Sequence, residues 1–227
     1  MSLARFKDLC IDATDPLVLG RFWAAALGLE LQDAGPDSAG VVQLRGPTPG
    51  HTIWVNAVPE PKTVKHRWHI DVNVSAVDEL VALGATVLDA DSFRWTLMAD
   101  PEGGELCAFV REGTIERRLY EVVVDCPPEL GEAERLATWW ADVLGATVES
   151  DDDGTGVTDV EGAPFDYLVF GPVPEPKTVK NRLHLDVTTP DLGLLVGAGA
   201  TVLGRPPHGR WTVLADPHGN EFCAFGP

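Results

Sequence analysis

The sequence predicts an α+β protein of two tandem domains, residues 1–113 and 118–227, each built from two β-α-β-β-β units. Three observations predict it. The stretch Val58-Pro-Glu-Pro-Lys-Thr-Val-Lys-His-Arg-Trp-His-Ile-Asp-Val72 returns as Val173-Pro-Glu-Pro-Lys-Thr-Val-Lys-Asn-Arg-Leu-His-Leu-Asp-Val187. That spacing suits a duplicated domain, since solenoid repeats have periods of about 20–50 residues. Within each half, a strand-like alternation leads into a helix closed by glycine and then into short strands, and the order restarts after Pro-Glu-Pro-Lys. Finally, the last two strands of each half flank Asp-Pro-x-Gly-x, whose proline and glycine suit a tight turn.

In the first unit, residues 6–13 alternate as a strand. Asp15 is placed to cap a helix with Pro16 at its first position, and Leu17, Phe22, Trp23, Ala26 and Leu27 share a face until Gly28 stops it. Strands follow over 29–32, 40–45 and 51–56. The second unit reads strand 68–74, helix 77–83 closed by Gly84, and strands 86–88, 95–99 and 105–110. The charged segment 112–118 links the halves. The third unit has a strand over 120–125, a helix over 129–144 ended by Gly145, and strands 147–149, 156–158 and 167–170, with a solvated turn at 151–156. The fourth has strand 183–187, a helix near 192–196 weakened by Gly193 and Gly197, and strands 201–203, 211–215 and 221–225.

With 227 residues, 44% of them hydrophobic, the chain can bury substantial cores. A net charge of −18 argues against nucleic acid and anionic membrane surfaces as partners and leaves a small-molecule ligand. No signal peptide and no apolar run of membrane-spanning length is expected. The four cysteines, Cys10, Cys107, Cys126 and Cys223, stand singly in apolar segments, which predicts buried free thiols in a cytoplasmic protein.

The four units, the Phe22-Trp23…Leu27-Gly28 helix end and the Asp-Pro-x-Gly-x turns resemble the vicinal oxygen chelate superfamily. Val-Pro-Glu-Pro-Lys-Thr with Arg-x-His-x-Asp-Val and Asp-Pro-His-Gly-Asn-Glu-Phe-Cys is similar, more narrowly, to glyoxalase-like domains of the glyoxalase/bleomycin resistance/dioxygenase type. The resemblance implies paired units forming a cupped, mixed, mostly antiparallel sheet with helices outside and a ligand pocket inside. It also implies a small organic ligand handled by a metal-assisted isomerase, lyase or dioxygenase. The alternative is a binding or antibiotic-resistance protein that sequesters its ligand without a catalytic step.

The superfamily holds a divalent metal with His or Gln on a unit's first strand and Glu on its last. Carried over, the first-strand positions fall at His69 and His184, and near Asp8 and Glu121 in the earlier unit of each half. The last-strand glutamate position holds Cys107 and Cys223, with Glu105 and Glu221 two residues earlier on the same strand face. The expected sets are therefore His69 with Cys107 or Glu105 and Asp8, and His184 with Cys223 or Glu221 and Glu121. Such sets suit zinc, nickel, iron or manganese, with His69 and His184 as ligands or general bases. The plainer reading makes the histidines hydrogen-bonded pocket residues, the cysteines small hydrophobes, and the protein metal-free.

Two further groups are candidates for ligand binding. Lys62 and Arg67, matched by Lys177 and Arg182, belong to the only concentrated positive charge and are placed either to anchor an anion or to pair with nearby acids. Trp54, Trp68, Trp95 and Trp211 are candidates for an aromatic pocket, with core packing as the alternative. Either a monomer with two fused domains or a homodimer fits this sequence.

Overall fold

A computed structural model describes residues 2–33, 40–151, 154–207 and 209–226. It contains the β-α-β-β-β unit four times. The first is β1 (Arg5–Ala13), α1 (Pro16–Leu27), β2 (Glu30–Asp33), β3 (Val41–Arg45) and β4 (Ile53–Ala57). The second is β5 (Trp68–Val74), α2 (Val77–Ala82), β6 (Thr86–Asp89), β7 (Thr96–Ala99) and β8 (Glu105–Val110). The third is β9 (Leu119–Cys126), α3 (Glu132–Leu144), β10 (Thr147–Asp151), β11 (Gly154–Thr158) and β12 (Tyr167–Pro172). The fourth is β13 (Leu183–Thr188), α4 (Leu192–Gly197), β14 (Thr201–Gly204), β15 (Trp211–Ala215) and β16 (Glu221–Phe225).

Local chemistry sets the boundaries. The Asp15 carboxylate accepts hydrogen bonds from the Leu17 and Val18 amides at the start of α1, and Gly28 at φ 68° ends it. α3 begins at Glu132, later than the sequence suggests, because Gly131 at φ 84° occupies its N-cap. A short 3-10 turn, Pro49–His51, delays β4 to Ile53. Of the turn expected at 151–156, residues 152 and 153 lie outside the described residues.

The strands form two eight-stranded mixed sheets, and each sheet takes one unit from each half. The first has the order β14-β15-β16-β13-β1-β4-β3-β2, and the second β10-β11-β12-β9-β5-β8-β7-β6. Their central seams, β1 with β13 and β5 with β9, are antiparallel and join residues of different sequence halves. The two units of one half thus lie in different sheets. Residues 58–67 and 173–182 carry the chain from one sheet to the other, and Pro59, Pro61, Pro174 and Pro176 favour an extended path there.

One hydrophobic cluster runs through both sheets and the helices. Trp140 of α3, fully buried, sits edge-on to Trp68 of the second sheet at 6.0 Å and to Phe222 of the first at 5.3 Å between ring centroids. Trp68 is therefore a core residue and does not line a pocket, which corrects its assignment from sequence. Strand alternation explains it: Trp68, Ile70, Val72 and Val74 face the helices, whereas His69 and Asp71 face away. No described helix is long and apolar enough to cross a membrane.

Candidate functional site

The face of each sheet turned away from the hydrophobic cluster carries a compact group of titratable side chains. On the second sheet, β5 supplies His69 and Asp71, and β8 places Cys107 beside Asp71. His69 Nε2 lies 3.1 Å from Asp71 Oδ1 and 3.7 Å from Cys107 Sγ. On the first sheet, Cys10 pairs with His184 in register, and Asp186 with Cys223. His184 Nε2 lies 3.5 Å from Asp186 Oδ1 and 3.4 Å from Cys223 Sγ. Among the described residues, His69, Asp71 and Cys107 form one group whose ligand atoms all lie within 4.8 Å of one another, and Cys10, His184 and Asp186 form another.

The structure brings His69 beside Cys107 and His184 beside Cys223, the pairs expected from sequence, but exchanges the carboxylates expected with them. Asp8 is on the sheet of His184, opposite Asp186, and Glu121 is on the sheet of His69, opposite Asp71. The cause is the crossing of units between sheets. Glu105 and Glu221 stand apart from both groups. Glu105 accepts from Lys62 Nζ at 2.7 Å and the His66 amide at 2.9 Å, and Glu221 from Lys177 Nζ at 2.9 Å and the Asn181 amide at 3.2 Å. Asp71, Asp186 and Cys10 were not singled out, although His-x-Asp occurs in both copies and strand alternation places both residues on one face.

Matching bulges distinguish the two faces. In β1 the register shifts between Phe6 and Asp8, and in β9 an extra residue opposite the Asp71/Val72 step lets Tyr120 and Glu121 both serve the open face. In the first copy, Lys7 pairs with Asp8, which also accepts from Trp54 Nε1 at 3.1 Å. In the second, tyrosine replaces the lysine. Burial and the neighbouring Asp71 charge push the Glu121 carboxyl up to about 7. Burial pulls the His69 imidazole down, but the Asp71 and Asp125 charges outweigh it and the net shift is upward. Burial, followed by the Asp71 charge, lifts the Cys107 thiol far above its ordinary range.

The second face also carries a row of rings. Phe93 stacks on Trp95, Trp95 on Phe109, and Phe109 meets Tyr120 edge-on, with centroids 5.1–5.5 Å apart; Tyr167 stands 6.2 Å beyond Tyr120. The Arg111 guanidinium lies 4.6 Å from the Tyr120 ring centroid. The first face has Trp211 beside Phe225, with Lys7 above the latter. Trp54 is half-buried on that face, tied to Asp8.

The repeated basic residues bind partners within the chain. Besides Lys62 and Lys177, Arg67 donates to the Glu175 and Asp125 carbonyls at 2.6 and 3.0 Å. Arg182 donates to the Glu60 carbonyl at 2.7 Å and to Glu102 Oε2 at 3.1 Å. Each connection thus grips the other across an approximate two-fold. All four cysteines are free and buried.

The donor set of the second face fits a divalent cation. His69 Nδ1 is buried without a hydrogen-bond partner, and the His69 ring, the Asp71 carboxylate and the Cys107 sulfur converge there. Zinc and iron accept such mixed ligands.

A profile of the glyoxalase-like domain matches residues 8–109 and 121–225. No curated protein matches. Among solved structures, glyoxalase I from Zea mays is 14% identical with a TM-score of 0.67, over 98% of this chain and 92% of that one. A proposed dioxygenase from Bacillus subtilis is 14% identical with a TM-score of 0.65, over 100% and 86%. The cppA protein of Streptococcus pneumoniae is 11% identical, with a TM-score of 0.51 over 100% and 99%. At such identities these structures speak for the fold.

Proposed function

We propose, from the premise that this chain belongs to the glyoxalase-like domain family, that it is an isomerase or lyase acting on a small planar organic molecule at the open face of the second sheet. The carrying observation is the co-location there of His69, Asp71 and Cys107 with Glu121, which has no lysine beside it of the kind Asp8 has. His69, Asp71 and Cys107 would hold a divalent metal, which supplies Lewis acidity toward substrate oxygens when bound. Glu121, whose carboxyl burial and the Asp71 charge raise to about 7, takes a proton from a substrate carbon or oxygen and returns it to a neighbouring atom. The Trp95–Phe109–Tyr120 row gives an apolar border that packs against a substrate and excludes water from one side. On the first sheet the Lys7–Asp8 pair occupies the corresponding place, so that face holds ligand without moving protons. Four buried thiols suit a reducing cytoplasm. Each chain completes both sheets, so a monomer suffices.

The row of rings also favours a second reading, sequestration of an aromatic ligand without turnover. Metal analysis of untagged protein, followed by melting of the stripped chain with zinc, nickel, iron(II) and manganese, begins the test. Screening then covers 2-oxoaldehydes, catechols and planar antibiotics. The enzyme reading expects Glu121→Gln to retain binding and lose turnover by roughly 10²–10⁴-fold. Tight binding with no turnover in the metal-loaded wild type would select sequestration.

A further inference from the structure

Arg111, the first residue after β8, borders the open face of the second sheet. Its amide donates to the Val74 carbonyl at 2.9 Å, and its Nε donates to Asn73 Oδ1 at 2.7 Å. Asn73 is 8% exposed and its Nδ2 donates to the Arg117 carbonyl at 3.0 Å, which holds the amide with its oxygen toward Arg111. The guanidinium lies 5.2 Å from the Phe109 ring centroid and 4.6 Å from that of Tyr120. A neutral amide and two rings thus fix the group without balancing its charge.

Among the described residues, Arg111 forms no ion pair. Burial pushes the Tyr120 hydroxyl up to about 12, so it stays neutral and supplies no counter-charge. Of the five guanidinium N–H groups, one goes to Asn73 and one reaches the Tyr120 hydroxyl, and the others are left as donors on an exposed side chain. Burial lifts Glu121 and the Arg111 charge opposes that rise, so the guanidinium is within electrostatic reach of this carboxyl. The first sheet has no equivalent. Its matching strand runs Glu221-Phe-Cys-Ala-Phe225-Gly-Pro227, with proline where Arg111 stands, and Lys7, 4.4 Å from the Phe225 centroid, is spent on Asp8.

We propose that Arg111 seats a carboxylate of the ligand, so that the second face takes small aryl carboxylates in preference to neutral molecules. The proposal rests on that face being the ligand face and names the class of molecule it takes. The free N–H groups of the guanidinium bind the carboxylate oxygens, and the Phe109 and Tyr120 rings border the apolar part of the ligand. Because Asn73 and the two rings already hold the guanidinium, little side-chain freedom is lost on binding. Phe109 stands two residues along β8 from Cys107, roughly 7 Å at the usual strand rise, with the guanidinium over it. A carboxylate seated there is about one substituted ring away from the group formed by His69, Asp71 and Cys107.

The test titrates the full, metal-free chain with benzoate, benzyl alcohol and acetate at pH 7 and constant ionic strength, followed by ligand-observed NMR and calorimetry. Benzoate should bind once per chain, at least ten-fold more tightly than the neutral alcohol or acetate. Arg111→Gln should bring benzoate down to the level of benzyl alcohol, and Arg111→Lys should restore only part of the difference, since an ammonium lacks the planar fork. Arg111 is exposed, so both variants should melt with the wild type. Arg45→Gln, which removes an equal charge from β3 of the first sheet, should change nothing. The zinc-loaded chain should prefer 3,4-dihydroxybenzoate to catechol at least ten-fold. Benzoate held no better than benzyl alcohol, a preference that survives Arg111→Gln, or equal affinity for catechol and its carboxylate would overturn the proposal. Benzoate bound through Arg111 in a chain that takes up no metal would uphold it and sink the metal chemistry instead.

Discussion

Burial lifts the Asp100 carboxyl to about 6, although the Glu102 and Gly104 amides donate to it at 2.9 and 2.8 Å. The folded state therefore holds a proton that the unfolded chain, with a carboxyl near 3.8, has released. Stability from this group is full below about 3.8 and is lost as pH rises through about 6. Urea unfolding between pH 4 and 7 should show that fall, and Asp100→Asn should flatten it; an unchanged slope would assign the fall elsewhere. Asp216 is buried in the equivalent turn and shifted the same way. At this scale the imidazoles and family-position thiols of the site were legible from sequence, because motif and resemblance fixed their positions. Asp71 and Asp186 were equally available from alternation. The carboxylate partners were not, since which unit lies opposite which is a tertiary choice.

The β1 and β9 bulges show one element giving two chemistries. A bulge presents two neighbouring residues to one face, so Lys7 meets Asp8 on the first sheet while Tyr120 joins Glu121 on the second. No periodicity announces such a bulge, and both strands read simply as alternating. α1 was legible end to end because Asp15, Pro16 and Gly28 each do a recognised job. The start of α3 was not, since Gly131 intervened. The 3-10 turn carries a further expectation. A Cβ on Gly50 would lie 1.8 Å from the Gly162 carbonyl oxygen, a backbone atom of the third unit. Gly50→Ala should cost about 2 kcal/mol or more in denaturant unfolding; a loss below about 0.5 kcal/mol would mean that the two loops do not touch.

At the scale of the molecule, duplication was legible and the exchange of units was not, because a repeat records ancestry without recording which copies pair. Since β1 pairs with β13 and β5 with β9, cleavage within the 112–117 segment should leave the two halves bound as one particle in size-exclusion chromatography. Release of two folded monomers would contradict the topology. Trp140 touches rings from both sheets, and Trp140→Ala should cost about 3–5 kcal/mol and lower a single cooperative transition, not one of two.

Whether His69, Asp71 and Cys107 hold a metal is read by titrating the stripped chain with cobalt(II) and following its absorption. A thiolate ligand gives an intense near-ultraviolet charge-transfer band. That band should appear at stoichiometric cobalt, weaken in Cys107→Ser and His69→Ala, and persist in Glu105→Gln, whose carboxylate serves Lys62. Cobalt that does not bind, or a band indifferent to Cys107 and His69, would contradict it.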